Sequence, residues 1–215
     1  MATLKSSQNL TIKSLLLSLL FIGGIATAGQ VKNLDTHQFN GTVLDKPKMI
    51  QGFSLKDTKG TLFTTKTLKD HWTLLFFGFT RCGYVCPTSL TALKQTYEAL
   101  EKSTFPKPQI IFVSIDPQRD DLPRIQKYVT SFNKDFIGAT GTTTELSHLT
   151  NQLGILYMKI IRKDNDQKQR DNYDIDHSGS ILLVDPDGEL IAVFSMPHQW
   201  KNIVKEYEMI TSHYS

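Results

Sequence analysis

The sequence predicts an α/β fold in which a central sheet is flanked by helices, with an N-terminal hairpin in front and an inserted helix-strand segment in the middle. Three observations carry that prediction. Residues 72–77 and 110–115 are continuous apolar runs of strand length, the pattern of strands buried on both faces. After each run, apolar residues recur at helical spacing: Leu90, Leu93, Tyr97 and Leu100 after the first, then Leu122, Ile125, Val129 and Phe132 after the second. Strands alternating with helices in this way build β-α-β units. Near the end, Asp185-Pro186-Asp187-Gly188 separates residues 180–184 from residues 190–194, which reads as an antiparallel hairpin closed by a turn.

The other elements follow in order. Residues 53–63 alternate on both sides of a turn-rich centre and suit the leading hairpin. Pro87 fits the first turn of the helix that starts there, where its missing N–H costs nothing. Thr142 and Glu145 have capping-box spacing, Leu146, Leu149 and Leu153 form the apolar stripe, and Gly154 stops this third helix. Residues 155–161 read as the next strand. Residues 162–173 are charged and without period, a long loop that delivers the chain to Asp176-His177. A last helix carries Trp200, Ile203, Val204, Tyr207 and Ile210. The order β-α-β, an insertion, then β-β-α is thioredoxin-like, and by itself such a fold fixes no function.

Residues 1–28 hold Lys5 and Lys13 but no acid, then an apolar run that closes on Ala26-Thr27-Ala28. This reads as a secretory signal peptide cleaved after Ala28. The run falls short of the ~20 residues that a membrane span needs, and Gly23-Gly24 interrupts it, so a permanent N-terminal anchor is the weaker alternative. The polar, unpatterned residues 29–48 read as a linker or arm, and residues 49–215 as the folded domain. A composition of 40% hydrophobic and 21% charged residues excludes a disordered, collagen-like or coiled-coil chain. With 24 basic against 21 acidic side chains and no Lys/Arg run longer than two, there is no nucleic-acid footprint. The expectation is an exported protein of the bacterial periplasm or the periplasmic face of the inner membrane.

In such an oxidising compartment a cysteine pair means a structural disulfide, a redox couple or a metal site. Cys82 and Cys86 are the only cysteines. Their C-x3-C spacing follows a buried strand and opens a helix, which brings both sulfurs onto one turn, with Cβ atoms about 5–6 Å apart. The helix N-terminus and Arg81 both favour thiolate over thiol. A structural staple gains most by closing a long loop, and this one encloses three residues. The pair therefore reads as nucleophiles or ligands. Cu(I) prefers soft sulfur, whereas Cu(II) adds a demand for imidazole nitrogen and a flatter geometry, so a copper site needs a third ligand. Of the six histidines, His37, His148, His198 and His213 read as solvated surface residues, and His71 lies at the wrong end of its strand. His177 sits at a strand entrance beside Asp176, a neighbour that could orient its ring.

Residues 77–87, FGFTRCGYVCP, are similar to F-G-F-T-x-C-x-x-x-C-P; residues 113–120, VSIDPQRD, to V-S-x-D-P-x-R-D; and Asp176-His177-Ser178, followed by the hairpin turn, to D-H-[ST]. On these motifs the chain resembles the SCO/SenC family of copper-binding proteins over about residues 53–200. The resemblance implies a thioredoxin-like fold and copper, as Cu(I) or Cu(II), held by Cys82, Cys86 and His177. It also implies a copper chaperone that delivers copper to, or adjusts the cysteine redox state of, the CuA-bearing subunit during cytochrome c oxidase assembly, with thiol reductant proteins as further partners. Asp116 is implied to lie not far from the metal, although a turn role explains Asp116-Pro117 equally well. Many members carry Pro-Asp after the first cysteine, where this chain has Gly83-Tyr84. Tyr84 then shields the ion, faces a client, or is a plain exposed aromatic. The competing reading is an exported thiol-disulfide oxidoreductase or thiol peroxidase using the same pair. Dithiol enzymes of this fold use C-x2-C and need no histidine, so the spacing and His177 favour a metallochaperone over an enzyme.

Overall fold

A computed structural model describes residues 39–161 and 173–214. The expected signal peptide or anchor, His37, and residues 162–172 of the long charged loop lie outside them. In chain order the elements are β1 (Thr42–Met49), β2 (Ser54–Asp57), β3 (Leu62–Thr64), α1 (Thr65–Leu68), β4 (Thr73–Gly78), α2 (Val85–Leu100), β5 (Gln109–Ser114), α3 (Leu122–Thr130) and β6 (Ile137–Thr140). They continue with α4 (Thr143–Leu153), β7 (Tyr157–Ile161), β8 (Tyr173–His177), β9 (Ile181–Val184), β10 (Glu189–Phe194) and α5 (Trp200–Tyr214).

The two apolar runs form the heart of the molecule. β4 and β5 pair in parallel from Thr73↔Gln109 to Gly78↔Ser114, and every residue of β4 is buried. Leu74, Leu75, Phe76, Phe77, Ile111, Phe112 and Val113 are all 0% exposed. At about 1.5–3 kcal/mol for each fully buried large apolar side chain, this strand pair is a main contributor to the core. Eight strands run in the order β1-β10-β9-β4-β5-β6-β2-β3, while β7 and β8 form a separate two-stranded sheet. The α/β, thioredoxin-like expectation holds: β4-α2-β5-α3-β6 is the parallel half, and β9-β10 closes it as an antiparallel hairpin. Gly154 ends α4 with φ of 70°, the left-handed conformation that glycine adopts without a Cβ penalty.

The structure departs from the sequence reading at several elements. The segment expected to be a linker up to residue 48 contains β1, which pairs antiparallel with β10. β1 lies at the sheet edge, its residues are mostly exposed, and its register slips between Val43 and Lys48, around Pro47. An exposed edge strand with a proline shows no apolar alternation to read. The short β6 was not anticipated either, because its four residues IGAT carry no period. Gly138 belongs there because a side chain would collide with Ile125 and Thr58. Residues 155–161 do form a strand, but β7 pairs with β8 and stands apart from the central sheet.

Candidate metal centre

β4 ends at Gly78 and the chain turns through residues 79–84 into α2, so the cysteine loop sits at the carboxyl end of the central strands, where α/β sheets place their sites. A buried carboxylate holds this loop. Asp120, 1% exposed, accepts from the Thr80 N–H at 2.8 Å, the Thr80 hydroxyl at 2.5 Å and the Ser114 hydroxyl at 2.6 Å. The Cys82 N–H donates to the Phe79 carbonyl at 3.2 Å, closing the turn. Cys86 lies in the first turn of α2 and is fully buried, whereas Cys82 is partly exposed.

Both thiols are free, and the helix start acts on them unequally. The Cys86 N–H points at Cys82 Sγ from 3.3 Å. Hydrogen bonding from the Cys86 thiol, and then from His177 and the backbone amides of Cys86 and Tyr84, outweighs burial and pulls the Cys82 thiol down to about 4. The Cys86 thiol is pushed up by that same contact with Cys82 and by burial. Arg81, expected to favour the thiolate, is exposed, and the groups that act on Cys82 are these. Alkylation of Cys82 by iodoacetamide should therefore keep its rate from about pH 8 down to about pH 5 and decline only toward pH 4, with Cys86 resistant throughout. Peptide mapping of the singly modified protein checks this; a rate that already falls below about pH 8, as for an ordinary thiol, contradicts it.

His177 is the last residue of β8, and its Nε2 lies 3.5 Å from Cys86 Sγ. It ends its own strand rather than standing at the entrance of the next. Its Nδ1 is 3.0 Å from the Ser178 carbonyl, which can only accept, so Nδ1 donates there and Nε2 is the ring nitrogen turned toward the sulfurs. Asp176, expected to orient the ring, is exposed on the alternate face of the strand; Ser178 does that work. The edges of Phe76 and Phe79 pack on the imidazole at centroid distances of 6.4 and 5.8 Å.

Gly78 makes room for this arrangement. A Cβ there would lie 2.6 Å from Cys86 Sγ and 2.9 Å from the Phe112 ring. Gly78→Ala should cost about 1–3 kcal/mol by overpacking and displace the Cys86 sulfur, read as a lower unfolding temperature together with weaker metal binding. Full metal binding by a stable Gly78→Ala protein would show that the sulfur has slack.

Among the described residues, no other histidine joins the cluster of Cys82, Cys86 and His177. His71 and His148 are exposed. His198 corrects the expectation of a solvated ring: it is half-buried, Nδ1 meets the Ser89 hydroxyl at 2.9 Å and Nε2 the Phe194 carbonyl at 3.2 Å, and burial holds its pKa below the usual value. Asp116 is fully buried and committed to an ion pair with Arg119 and a hydrogen bond from the Tyr173 hydroxyl. Tyr84 is 77% exposed, an open aromatic at the mouth of a hollow of about 390 Å³ lined by Phe79, Cys82, Ile160 and His177.

Among the described residues, Cys82, Cys86 and His177 offer ligand atoms that all lie within 4.8 Å of one another. Two sulfurs and one imidazole nitrogen around a single point form a soft donor set. The family model described as SCO1/SenC matches residues 42–212, the sheet and both halves of this site. The chain belongs to the SCO1/SenC family. An SCO2-like protein of Rickettsia typhi is 34% identical over 161 residues, covering 75% of this chain and 77% of its own. The structure of Bradyrhizobium japonicum ScoI with copper bound is 31% identical with a TM-score of 0.64, covering 74% of this chain and 98% of its own. Yeast Sco1 with copper bound superposes with a TM-score of 0.70 at 26% identity, over 79% and 91% of the two chains. Membership in the SCO1/SenC family agrees with the resemblance carried by the three motifs.

Proposed function

We propose that this chain is a copper chaperone that holds copper through Cys82, Cys86 and His177 and hands it to the CuA-bearing subunit of cytochrome c oxidase, or to another copper acceptor, during assembly. The observation that carries the reading is the convergence of two sulfurs and one imidazole nitrogen within 4.8 Å. Family membership supports it, as do the copper-bound structures of two related proteins. Two thiolates suit Cu(I), and the imidazole extends the set to Cu(II). Partly exposed Cys82 is the ligand that an acceptor's own sulfurs can reach, so copper leaves by exchange at that side while buried Cys86 lets go last. The test is to load the reduced protein with one equivalent of Cu(I) and mix it with a purified CuA-bearing domain. Copper should move to the acceptor; copper that stays put, or loading far below one equivalent, contradicts the reading.

The inequality of the two thiols favours a second role on the same pair. An ionised, reachable Cys82 beside a protonated, buried Cys86 is suited to thiol-disulfide exchange with the acceptor's cysteines or with a thiol reductant protein. Turnover of a disulfide substrate without copper would move this oxidoreductase reading ahead of delivery. The protein acts outside the cytoplasm in this proposal, in the periplasm or at the membrane face. Intact mass of the exported protein should begin at Gly29, and a full-length, membrane-bound chain would replace cleavage with anchoring.

A further inference from the structure

We propose that Asp116-Pro117-Gln118-Arg119 is the seat of the β7–β8 hairpin and that Arg119 and Tyr173 are positioning residues for His177. The inference rests on the copper reading above, because it concerns how the imidazole ligand is held.

β7 and β8 pair only with each other among the described strands, and a two-stranded hairpin is marginal by itself. Its apolar burial is thin. Ile175 is 5% exposed, but Met158, Ile160 and Ile161 are 65%, 48% and 79% exposed. The hairpin instead depends on polar contacts at both ends of β8. At the His177 end, the Ser178 N–H donates to the Leu156 carbonyl at 2.9 Å and the Leu156 N–H to the Ser178 hydroxyl at 3.1 Å.

At the other end, Tyr173 is held from three sides. The Arg119 side chain, 4% exposed, donates from Nη1 to the Tyr173 carbonyl at 2.7 Å, and its guanidinium carbon lies 3.5 Å from the centroid of the Tyr173 ring. The Tyr173 hydroxyl donates to Asp116, whose other carboxylate oxygen pairs with Arg119 Nε. Gln118 grips the partner strand by accepting from Lys159 Nζ at 2.7 Å, and that ammonium also lies 4.4 Å from the Tyr173 ring centroid. A planar guanidinium that hydrogen-bonds a carbonyl, stacks on a ring and pairs with a carboxylate at once cannot be replaced by a lysine without losing part of this geometry. The Arg119 guanidinium also faces Phe79 at 5.9 Å, and Phe79 packs on the His177 ring, so the seat reaches the imidazole through two routes.

The experiment compares the full chain with Tyr173→Phe, Tyr173→Ala, Arg119→Lys and a His177→Ala control. In the metal-free protein, hydrogen exchange of the β8 amides should speed up by about tenfold in Tyr173→Ala and by less in Tyr173→Phe, which keeps the ring on the guanidinium. Cu(II) affinity should fall by about 10–100-fold in Tyr173→Ala and Arg119→Lys, the usual cost of losing a partner that orients a ligand, while Cu(I) affinity stays within about threefold, because neither sulfur touches the seat. Equal losses for Cu(I) and Cu(II), or no change in either β8 exchange or Cu(II) affinity, would overturn the inference. If Tyr173→Ala fails to fold, the graded pair Tyr173→Phe and Arg119→Lys decides on the same readouts. An unchanged Cu(II) site in His177→Ala itself would sink the copper reading, a failure distinct from that of the seat.

Discussion

Replacing Cys86 by Ser lowers affinity for Cu(I) and Cu(II) by more than about 100-fold, beyond what losing an outer partner costs. Cys86 Sγ is the atom through which the site closes: it is fully buried, 3.5 Å from His177 Nε2, on the same helix turn as the amide that points at Cys82. A serine hydroxyl fits the space but neither ionises near neutral pH nor offers a soft donor, so copper would keep one thiolate where it needs two. Oxidation of the pair to a disulfide should have the same outcome, since both thiolates are consumed. Anaerobic titration against a chromophoric chelator, with reduced, oxidised and substituted protein side by side, measures all three affinities. Oxidised protein that binds copper as tightly as reduced protein would remove the cysteines from the site.

His177→Ala separates the two oxidation states. Cu(II) should weaken by about 100-fold or more, because the variant strips the one imidazole that joins the two sulfurs among the described residues. Cu(I) should weaken by less than about tenfold, because the two thiolates at the entrance of α2 already satisfy it. The sulfur-to-copper charge-transfer absorption of the Cu(II) form follows the first loss and should return with added imidazole, since the ring borders an open hollow. Equal affinity changes for the two ions, with an unaltered Cu(II) spectrum, would mean that the ring only lines the cavity.

How much was legible in the sequence depends on what each residue had to signal. β4 and β5 announced themselves because full burial leaves continuous apolar runs, α2 because its buried face repeats at helical spacing, and the cysteine pair because it sits where a strand meets a helix. β1 and β6 gave no signal, since one is an exposed edge with a proline and the other four short residues built around Gly138. Local pattern marked His177 only as the histidine that follows the long charged loop at a strand, and the D-H-S motif made it a ligand, because its contact with Cys86 spans 91 positions. The neighbour chosen to orient it, Asp176, was wrong because alternate residues of a strand face opposite ways, and the Ser178 carbonyl is invisible in a side-chain motif. Asp116 and Arg119 stood inside a recognised motif, but their role is a long-range clamp on Tyr173, which only the folded chain brings to them.

X-ray absorption at the copper edge, on protein carrying one equivalent of Cu(II), reads the ligand set without recourse to substitution. The account predicts two sulfur scatterers and an imidazole shell, with the imidazole signal lost in His177→Ala and the sulfur signal retained. A first shell of nitrogen and oxygen alone would contradict it, and would mean that copper binds somewhere other than between Cys82, Cys86 and His177.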